Sequence, residues 1–253
     1  MINLSTKEWQ IQNIETVLFD KDGTFIDLHY FWGKVTEMRV QEILKRYNLQ
    51  TKNFDKLCLC LGYDTKTCKM LPDGITALYS RQKIIEIFKN DLATLKVFIT
   101  EKELEEIFDY VSENFYNNIQ KYTKPIDEAI EFIKQLHTCN VKLGIVTSDS
   151  KKSTDLTLKY FGLEELFAVV IGRESLPYTK ESGEPTKLAL ETLEANPDTT
   201  VMIGDAPMDY ISAQNAGIKN TILVATGQID KQNLLKTCKF TVGSLKNLNI
   251  FNH

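Results

Sequence analysis

Short apolar runs recur along this chain, and most of them stop at polar residues or glycine. The runs cover residues 16–19, 141–146, 168–171, 200–203 and 221–224. Near-continuous apolar runs of this kind are typical of strands that are buried on both faces, as in a parallel sheet. This feature constrains the fold strongly, because successive parallel strands must be joined by a crossover, which is usually a helix.

Amphipathic helical patterns lie where such crossovers are needed. They span residues 126–137, 153–161, 185–195 and 208–216. Glycine follows two of them directly, at positions 162 and 217, as is typical of helix C-termini. The alternation predicts an α/β fold built on a doubly wound parallel sheet.

The alternation stops between about residues 30 and 120, where helical spacing prevails. Helices are predicted there at residues 31–47, 53–61, 80–92 and 101–119, with residues 62–74 as a loop. We therefore predict two domains. A core is formed by residues 1–28 and 122–253, and a helical domain of residues 29–121 is inserted into it.

Charge and composition exclude several classes of protein. The chain has 30 Lys and Arg against 34 Asp and Glu, a net charge of −4, so we expect no nucleic-acid partner. It has no apolar run near the roughly 18 residues of a membrane span, so we expect no membrane partner. The odd number of cysteines, 5, favours a reducing cytoplasm over a disulfide framework. The Cys58 and Cys60 side chains are interpreted as small buried groups rather than zinc ligands.

Two acidic loops follow apolar runs directly. Asp20 and Asp22 lie in the sequence DKDGT, in which Gly23 permits a tight turn, and Asp205 and Asp209 flank the start of a predicted helix. The carboxyl ends of parallel strands meet at one edge of a sheet, so these carboxylates are expected to face one crevice. Such oxygen ligands suit Mg²⁺. The alternatives are a solvated turn for the first loop and a helix cap for the second.

Two further segments carry groups that bind anions. Thr147 and Ser148 lie between the apolar run 141–146 and a predicted helix, where hydroxyl and N–H groups can hold an anion. A simple helix cap would have the same sequence. Lys180 lies in the loop 178–185 and by itself is typical of a solvated lysine.

Taken together, these motifs resemble those of the haloacid dehalogenase superfamily of phosphatases over nearly the whole chain, in the order Asp20/Asp22, Thr147, Lys180 and Asp205/Asp209. The resemblance implies that the helical insertion is a cap domain. Further matches are to sequence patterns of the phosphoglycolate-phosphatase-like branch of this superfamily. They lie at Asp27 and in the segments 125–130 and 184–185. Two prolines of that branch's lysine motif are replaced here by Glu181 and Gly183. Lys187 is therefore the alternative to Lys180 as the lysine of this motif.

A magnesium site is implied by this resemblance. The ion would be held by the side chains of Asp20 and Asp205 and by the backbone carbonyl of Asp22. Asp209 would bind the ion or orient a water on it.

The resemblance also implies a reaction on a phosphate monoester. Asp20 would attack phosphorus and form an aspartyl-phosphate, and Asp22 would act as general acid and then as general base. The hydroxyl of Thr147 and the ammonium of Lys180 would hold phosphoryl oxygens, together with Gly23 and Ser148.

The expected substrate is a small phosphorylated metabolite, similar to phosphoglycolate or a sugar phosphate. His29 and Arg173 are predicted to contact it, and Phe31, Trp32 and Arg39 are further candidates. Two other functions remain open, namely a phosphomutase of the same fold and a non-catalytic phosphate sensor or protein-binding module. An enzyme is favoured by the simultaneous presence of four residues, which a binding module would not need: Asp20, Asp22, Lys180 and Asp205.

Overall fold

A computed structural model describes residues 1–252 of the chain. The chain divides into two compact units. The first consists of Met1–Asp27 and the part of the chain from Lys124 onward, and the second is Leu28–Thr123.

Strands and helices are numbered here in chain order. Within residues 1–252 the strands are β1 (Ile2–Ser5), β2 (Gln10–Ile14), β3 (Thr16–Phe19), β4 (Tyr63–Asp64), β5 (Lys69–Met70), β6 (Lys142–Val146), β7 (Val169–Ile171), β8 (Thr200–Gly204), β9 (Asn220–Val224), β10 (Thr241–Val242) and β11 (Asn249–Asn252). The helices are α1 (Leu28–Arg46), α2 (Phe54–Cys60), α3 (Ile75–Leu78), α4 (Arg81–Thr94), α5 (Glu101–Tyr116), α6 (Ile119–Tyr122), α7 (Asp127–Thr138), α8 (Lys151–Phe161), α9 (Glu184–Thr192), α10 (Pro207–Asn215) and α11 (Lys231–Leu235).

A parallel sheet forms the centre of the first unit. Within the described residues its strand order is β10-β9-β8-β3-β6-β7. Strand β3 lies between β6 and β8, and Phe19 at its end is in register with Ile145 and Ile203. The three strands therefore end at the same edge of the sheet, and the prediction of a doubly wound α/β core is confirmed.

The sheet is covered by helices whose apolar faces match the predicted patterns. Leu18, Val146 and Met202 on the strands form one buried cluster with residues of α9 and α10, among them Ala189 and Ala213. Burial of this kind stabilises a domain by roughly 25 cal/mol per Å² of apolar surface removed from water. The cluster holds the strand ends in place for the polar loops that follow them.

A small antiparallel sheet was missed by the sequence analysis. Within the described residues its strand order is β11-β1-β2, and Leu4 pairs with Ile250 on one side and with Ile11 on the other. The three strands are short and contain Asn, Gln and Ser, so their apolar residues form no continuous run. Strand β10 and helix α11 are two and five residues long and escaped detection for the same reason.

The second unit is helical around its own apolar core, to which Val40, Phe88, Leu104 and Phe108 contribute. The helix predicted over 101–119 instead ends at Tyr116, and α6 follows separately. Burial raises the pKa of the Cys58 thiol to about 12, as expected for a small side chain packed in this core. Throughout residues 1–252, none of the helices has the length and apolar character needed to cross a bilayer.

The loop predicted at residues 62–74 contains a hairpin formed by β4 and β5, so that prediction is wrong in part. Each strand is only two residues long, which is too short to show a period of two. The ends of the segment lie close together. A Cβ added to Gly62, whose φ is +86°, would lie 2.8 Å from the Cα of Gly74. The conformation of this segment therefore depends more on close backbone contact than on a pattern of apolar side chains.

Candidate active site

The ends of β3, β6 and β8 place three polar side chains at one edge of the parallel sheet. The N–H of Asp20 donates to the carbonyl of Ile203 at 2.8 Å, and the N–H of Thr147 donates to the carbonyl of Ile171 at 3.0 Å. Asp205 directly follows β8. Asp20 and Thr147 thus extend the strand pairing by one position, and the side chains of all three residues are buried.

The turn after β3 depends on Gly23. The carbonyl of Lys21 accepts from the N–H groups of residues 24–26, and the Gly23 N–H donates to the carbonyl of Ile26 at 2.7 Å. Gly23 has a φ of +88°, and a Cβ there would lie 2.3 Å from Asp205 Oδ2. Gly23 therefore shapes the turn and leaves room for Asp205, and its N–H group is already engaged within the turn.

Of the two lysines that the sequence analysis left open, Lys180 is the one that lies at the acidic loops. Its Nζ lies 2.6 Å from Asp20 Oδ1 and 2.5 Å from Asp209 Oδ1, and it is buried. The alternative, Lys187, is 44% exposed and pairs with Glu184 at 2.7 Å on the surface of α9. Burial opposes the charge of Lys180, but the two carboxylates outweigh it and raise the pKa of the ammonium above its ordinary value.

Three buried carboxylates form the centre of the site. Oxygen atoms of Asp20, Asp205 and Asp209 lie within 4.8 Å of one another. Asp209 also accepts a hydrogen bond from the N–H of Ala206 at 3.0 Å, through the oxygen that does not contact Lys180. Asp209 is therefore held rigidly at the first turn of α10, where it fixes the position of the Lys180 ammonium.

The protonation behaviour of these carboxylates reflects their crowding. Burial raises the pKa of Asp20 to about 7, and Asp209 and Asp22 add to the rise while Lys180 opposes it. Burial and the charges of Asp20 and Asp209 hold the pKa of Asp205 well above its ordinary value. One lysine does not balance this much negative charge.

These residues fit a divalent cation. They offer hard oxygen donors, and an ion would supply the positive charge that the buried carboxylates lack. Space is left around Asp205, because a Cβ on Gly23 or on Gly227 would lie 2.3 Å or 1.6 Å from its Oδ2. The donor set fits Mg²⁺, and the two glycines leave room for the Asp205 carboxylate.

The loop after β9 also belongs to the site, and the sequence analysis missed it. The Thr226 hydroxyl donates to the carbonyl of Gly23 at 2.5 Å, which ties this loop to the turn after β3. Gly227 follows and lies against Asp205. The available signal was the position of the sequence Ala225-Thr226-Gly227, directly after the apolar run 221–224.

The sequence analysis also missed two charged residues beside Asp22, namely Lys21 and Asp149. Lys21 is fully buried, and its Nζ lies 2.7 Å from Asp22 Oδ1 and 2.9 Å from Asp149 Oδ2. Burial opposes the charge of Asp149, but Lys21 and hydrogen bonds from Ser153 and Ser150 hold its pKa below the ordinary value. The signal in the sequence was a lysine between the two aspartates of DKDGT.

The remaining predicted residues of the first unit lie around the end of β6 and the end of β7. The Thr147 Oγ1 accepts from the N–H of Asp149 at 3.1 Å. Ser148 is exposed, and its hydroxyl donates to Met208 Sδ at 3.5 Å. Arg173 is exposed, and its backbone N–H donates to the carbonyl of Asp149 at 3.0 Å.

Candidates for substrate contact in the second unit have partners within that unit. His29 Nδ1 accepts from the N–H of Met70 at 3.0 Å, which ties α1 to β5. The Phe31 ring is buried, and its centroid lies 5.4 Å from that of Trp32. Arg39 is also buried, with its guanidinium 4.0 Å from the centroid of Phe108. These contacts favour packing roles for Phe31 and Arg39.

Replacement of Gly227 tests the space around Asp205. In Gly227→Ala the new methyl group would overlap Asp205 Oδ2, so either the carboxylate or the loop must shift. We expect weaker Mg²⁺ binding by calorimetry and a fall in activity of about 10²-fold, as for a misplaced catalytic group. Gly243→Ala is the matched control, because its Cβ would meet Asn247 Oδ1 at an ordinary 3.4 Å. Unchanged metal affinity in Gly227→Ala would contradict the assignment.

Comparison with known proteins agrees with this geometry. Residues 17–224 match the family described as haloacid dehalogenase-like hydrolase. The pyrophosphatase PpaX of Halalkalibacterium halodurans is 26% identical over 210 residues, which cover 83% of each chain.

Solved structures show the same fold. The crystal structure of a predicted phosphoglycolate phosphatase from Haemophilus somnus 129PT has a TM-score of 0.70 at 17% identity, covering 93% of this chain and 96% of that one. A proposed β-phosphoglucomutase from Thermotoga maritima has a TM-score of 0.67 at 16% identity, covering 92% and 95%. The family match covers most of the chain and includes both acidic loops, Thr147 and Lys180. The recognition made from the motifs is thereby confirmed, and the chain belongs to the haloacid dehalogenase-like hydrolases.

Proposed function

We propose that this enzyme is a Mg²⁺-dependent phosphatase that hydrolyses a small phosphomonoester through an aspartyl-phosphate on Asp20. The observation that carries the proposal is the buried cluster in which Lys180 bridges Asp20 and Asp209 beside Asp205. A carboxylate that attacks an anionic phosphate needs positive charge next to it, and this cluster is arranged to provide it.

The metal would be held by the side chains of Asp20 and Asp205 and by the carbonyl of Asp22, with Asp209 nearby. When bound, the ion lowers the repulsion between the Asp20 carboxylate and the phosphate dianion. Lys180 serves the same purpose from the protein side, since its Nζ already lies at Asp20 Oδ1. Thr147, at the end of β6, would hold another phosphoryl oxygen.

Two steps complete the reaction. In the first, the Asp20 carboxylate attacks phosphorus and the ester P–O bond breaks, while protonated Asp22 gives its proton to the leaving alkoxide oxygen. In the second, Asp22 takes a proton from water, whose oxygen attacks phosphorus. The bond between phosphorus and Asp20 then breaks, which releases inorganic phosphate and restores the Asp20 carboxylate.

Pyrophosphate is a second candidate substrate. The favouring observation is the similarity to a pyrophosphatase over 83% of the chain. The same residues would act on it, with phosphate rather than an alkoxide as leaving group. A phosphomutase is the third possibility, because a structure of that description shares the fold.

A substrate panel tests these assignments directly. The purified protein is incubated with phosphoglycolate, sugar phosphates, p-nitrophenyl phosphate and pyrophosphate, and released inorganic phosphate is measured. We expect release from at least one phosphomonoester at a higher kcat/KM than from pyrophosphate. Faster release from pyrophosphate would identify a pyrophosphatase. Conversion of a sugar phosphate to its isomer without net phosphate release would identify a mutase.

Removal of Mg²⁺ is expected to abolish activity and to change the pH dependence of stability. The raised pKa values of Asp20 and Asp205 mean that the metal-free folded chain keeps protons that the unfolded chain loses. Its stability should therefore fall as pH rises from about 4 to about 7. Mg²⁺ competes with these protons, so its stabilising effect on Tm should be larger at about pH 8 than at about pH 5. Full activity in chelator at verified zero metal content would refute the metal role.

Asp22→Asn should distinguish esters by their leaving group. Without a general acid the first step should slow by about 10²–10⁴-fold for an alkyl phosphate, whose alkoxide needs a proton. It should slow little for p-nitrophenyl phosphate, because nitrophenolate leaves nearly unaided. In a single-turnover experiment the variant should release a burst of nitrophenol and then stall. Equal slowing for both esters would show that Asp22 is not the acid.

A further inference from the structure

Lys21 carries a buried charge that the proposed chemistry does not use. Its Nζ lies between Asp22 Oδ1 at 2.7 Å and Asp149 Oδ2 at 2.9 Å, and the side chain is fully shielded from solvent. Burying an ammonium is costly unless carboxylates lie next to it, and here two do. The arrangement joins the turn after β3 to the turn after β6.

Asp149 is the fixed end of this arrangement. Its Oδ1 accepts from the N–H of Ser150 at 2.7 Å, and its carbonyl accepts from the N–H of Arg173 at 3.0 Å. Ser150 in turn caps α8, because its hydroxyl accepts from the N–H of Ser153 at 3.1 Å. Strand β6, helix α8 and the end of β7 therefore all hold Asp149 in place.

Asp22 is the end whose orientation matters for chemistry. It follows Lys21 in a tight turn, and an aspartate side chain at such a position has several rotamers available. The contact of the Lys21 ammonium with Asp22 Oδ1 selects among them, both when Asp22 is ionised and when it is protonated, because a protonated carboxyl group still accepts a hydrogen bond. Placement of a proton donor within a few tenths of an ångström is needed for efficient proton transfer.

We propose that Lys21 and Asp149 form a buried brace that orients the Asp22 carboxylate toward the leaving group. They are positioning residues, and the inference rests on the proposed phosphatase function. A brace that serves stability alone would affect all substrates equally. One that orients the general acid affects mainly esters whose leaving group needs a proton.

The test compares first-step rates for an alkyl phosphate from the panel and for p-nitrophenyl phosphate in four variants. Lys21→Met removes the charge but leaves two buried carboxylates facing each other. The double variant Lys21→Met with Asp149→Asn removes one of them and keeps the shapes. Asp149→Asn alone keeps the contact between Lys21 and Asp22. Lys219→Met is the control, because Lys219 is 74% exposed and pairs with Asp198 on the surface.

We expect the ratio of alkyl to nitrophenyl rate to fall by about tenfold or more in Lys21→Met and in the double variant. It should fall less in Asp149→Asn and stay unchanged in Lys219→Met. If Lys21→Met does not fold, the rate ratio of the double variant tests the proposal. A crystal structure of the double variant should show the Asp22 carboxylate in a different rotamer.

Equal losses for both esters, with the Asp22 rotamer unchanged, would overturn the brace while leaving the phosphatase in place. A wild-type chain that hydrolyses neither ester would overturn the proposed function, and the inference with it. Failure of the brace and failure of the phosphatase function are therefore distinguished by whether the wild-type chain hydrolyses the esters.

Discussion

Asp20→Asn is expected to lower turnover by about 10⁴–10⁶-fold, the range seen when a nucleophile is removed. Asparagine has nearly the same shape but cannot attack phosphorus to give an acyl phosphate. Because burial already raises the pKa of Asp20 to about 7, a neutral side chain should be tolerated there without metal. Steady-state kinetics and thermal unfolding in chelator measure the two effects.

The matched control for this variant is Asp198→Asn. Asp198 is a surface aspartate of the same unit, 61% exposed and paired with Lys219. It should keep full activity and nearly unchanged stability, as surface changes usually do. Activity of Asp20→Asn within tenfold of wild type would show that Asp20 is not the nucleophile.

Lys180→Met should lower kcat/KM by about 10²–10³-fold, which is the usual effect of deleting a preorganised group that stabilises charge. It should also reduce stability by about 3–5 kcal/mol, because it leaves Asp20 and Asp209 without their buried cation. Adding Asp209→Asn should restore part of the stability but not the activity. Denaturant unfolding and kinetics separate these two effects.

Lys187→Met, measured in the same assay, tests whether Lys187 rather than Lys180 is the lysine of the motif. Lys187 pairs with Glu184 on the surface, so we expect this variant to behave as wild type. A large loss in Lys187→Met with little loss in Lys180→Met would reverse the assignment.

The site residues that directly follow strands could be predicted from the sequence. Asp20, Thr147 and Asp205 each follow an apolar run, and parallel pairing of the runs is enough to bring them to one edge. The sequence leaves two lysines open for the phosphate-binding role, Lys180 and Lys187, because two motif prolines are replaced in the loop that contains Lys180. The burial of Lys180 against Asp20 depends on how that loop packs, which no local pattern encodes.

Tertiary contacts that rely on common residue types were not predictable. Thr226 and Gly227 form a turn like many others, and only their packing against Gly23 and Asp205 makes them part of the site. Lys21 and Asp149 lie far apart in the chain, so their ion pair is visible only in three dimensions. Likewise β1, β2 and β11 are too short and too polar to be recognised before they are paired.

The pairing of β1 with β11 has a consequence for how the protein is made. Leu4 can pair with Ile250 only after all of the intervening chain has been synthesised, so this part of the small sheet forms late. Until then β1 is paired with β2 on one side and presents an unpaired edge to other nascent chains on the other. The parallel sheet needs no residue beyond β10 and can assemble first. After β10 has been synthesised and before β11 pairs, the exposed edge of β1 is therefore open to misassociation.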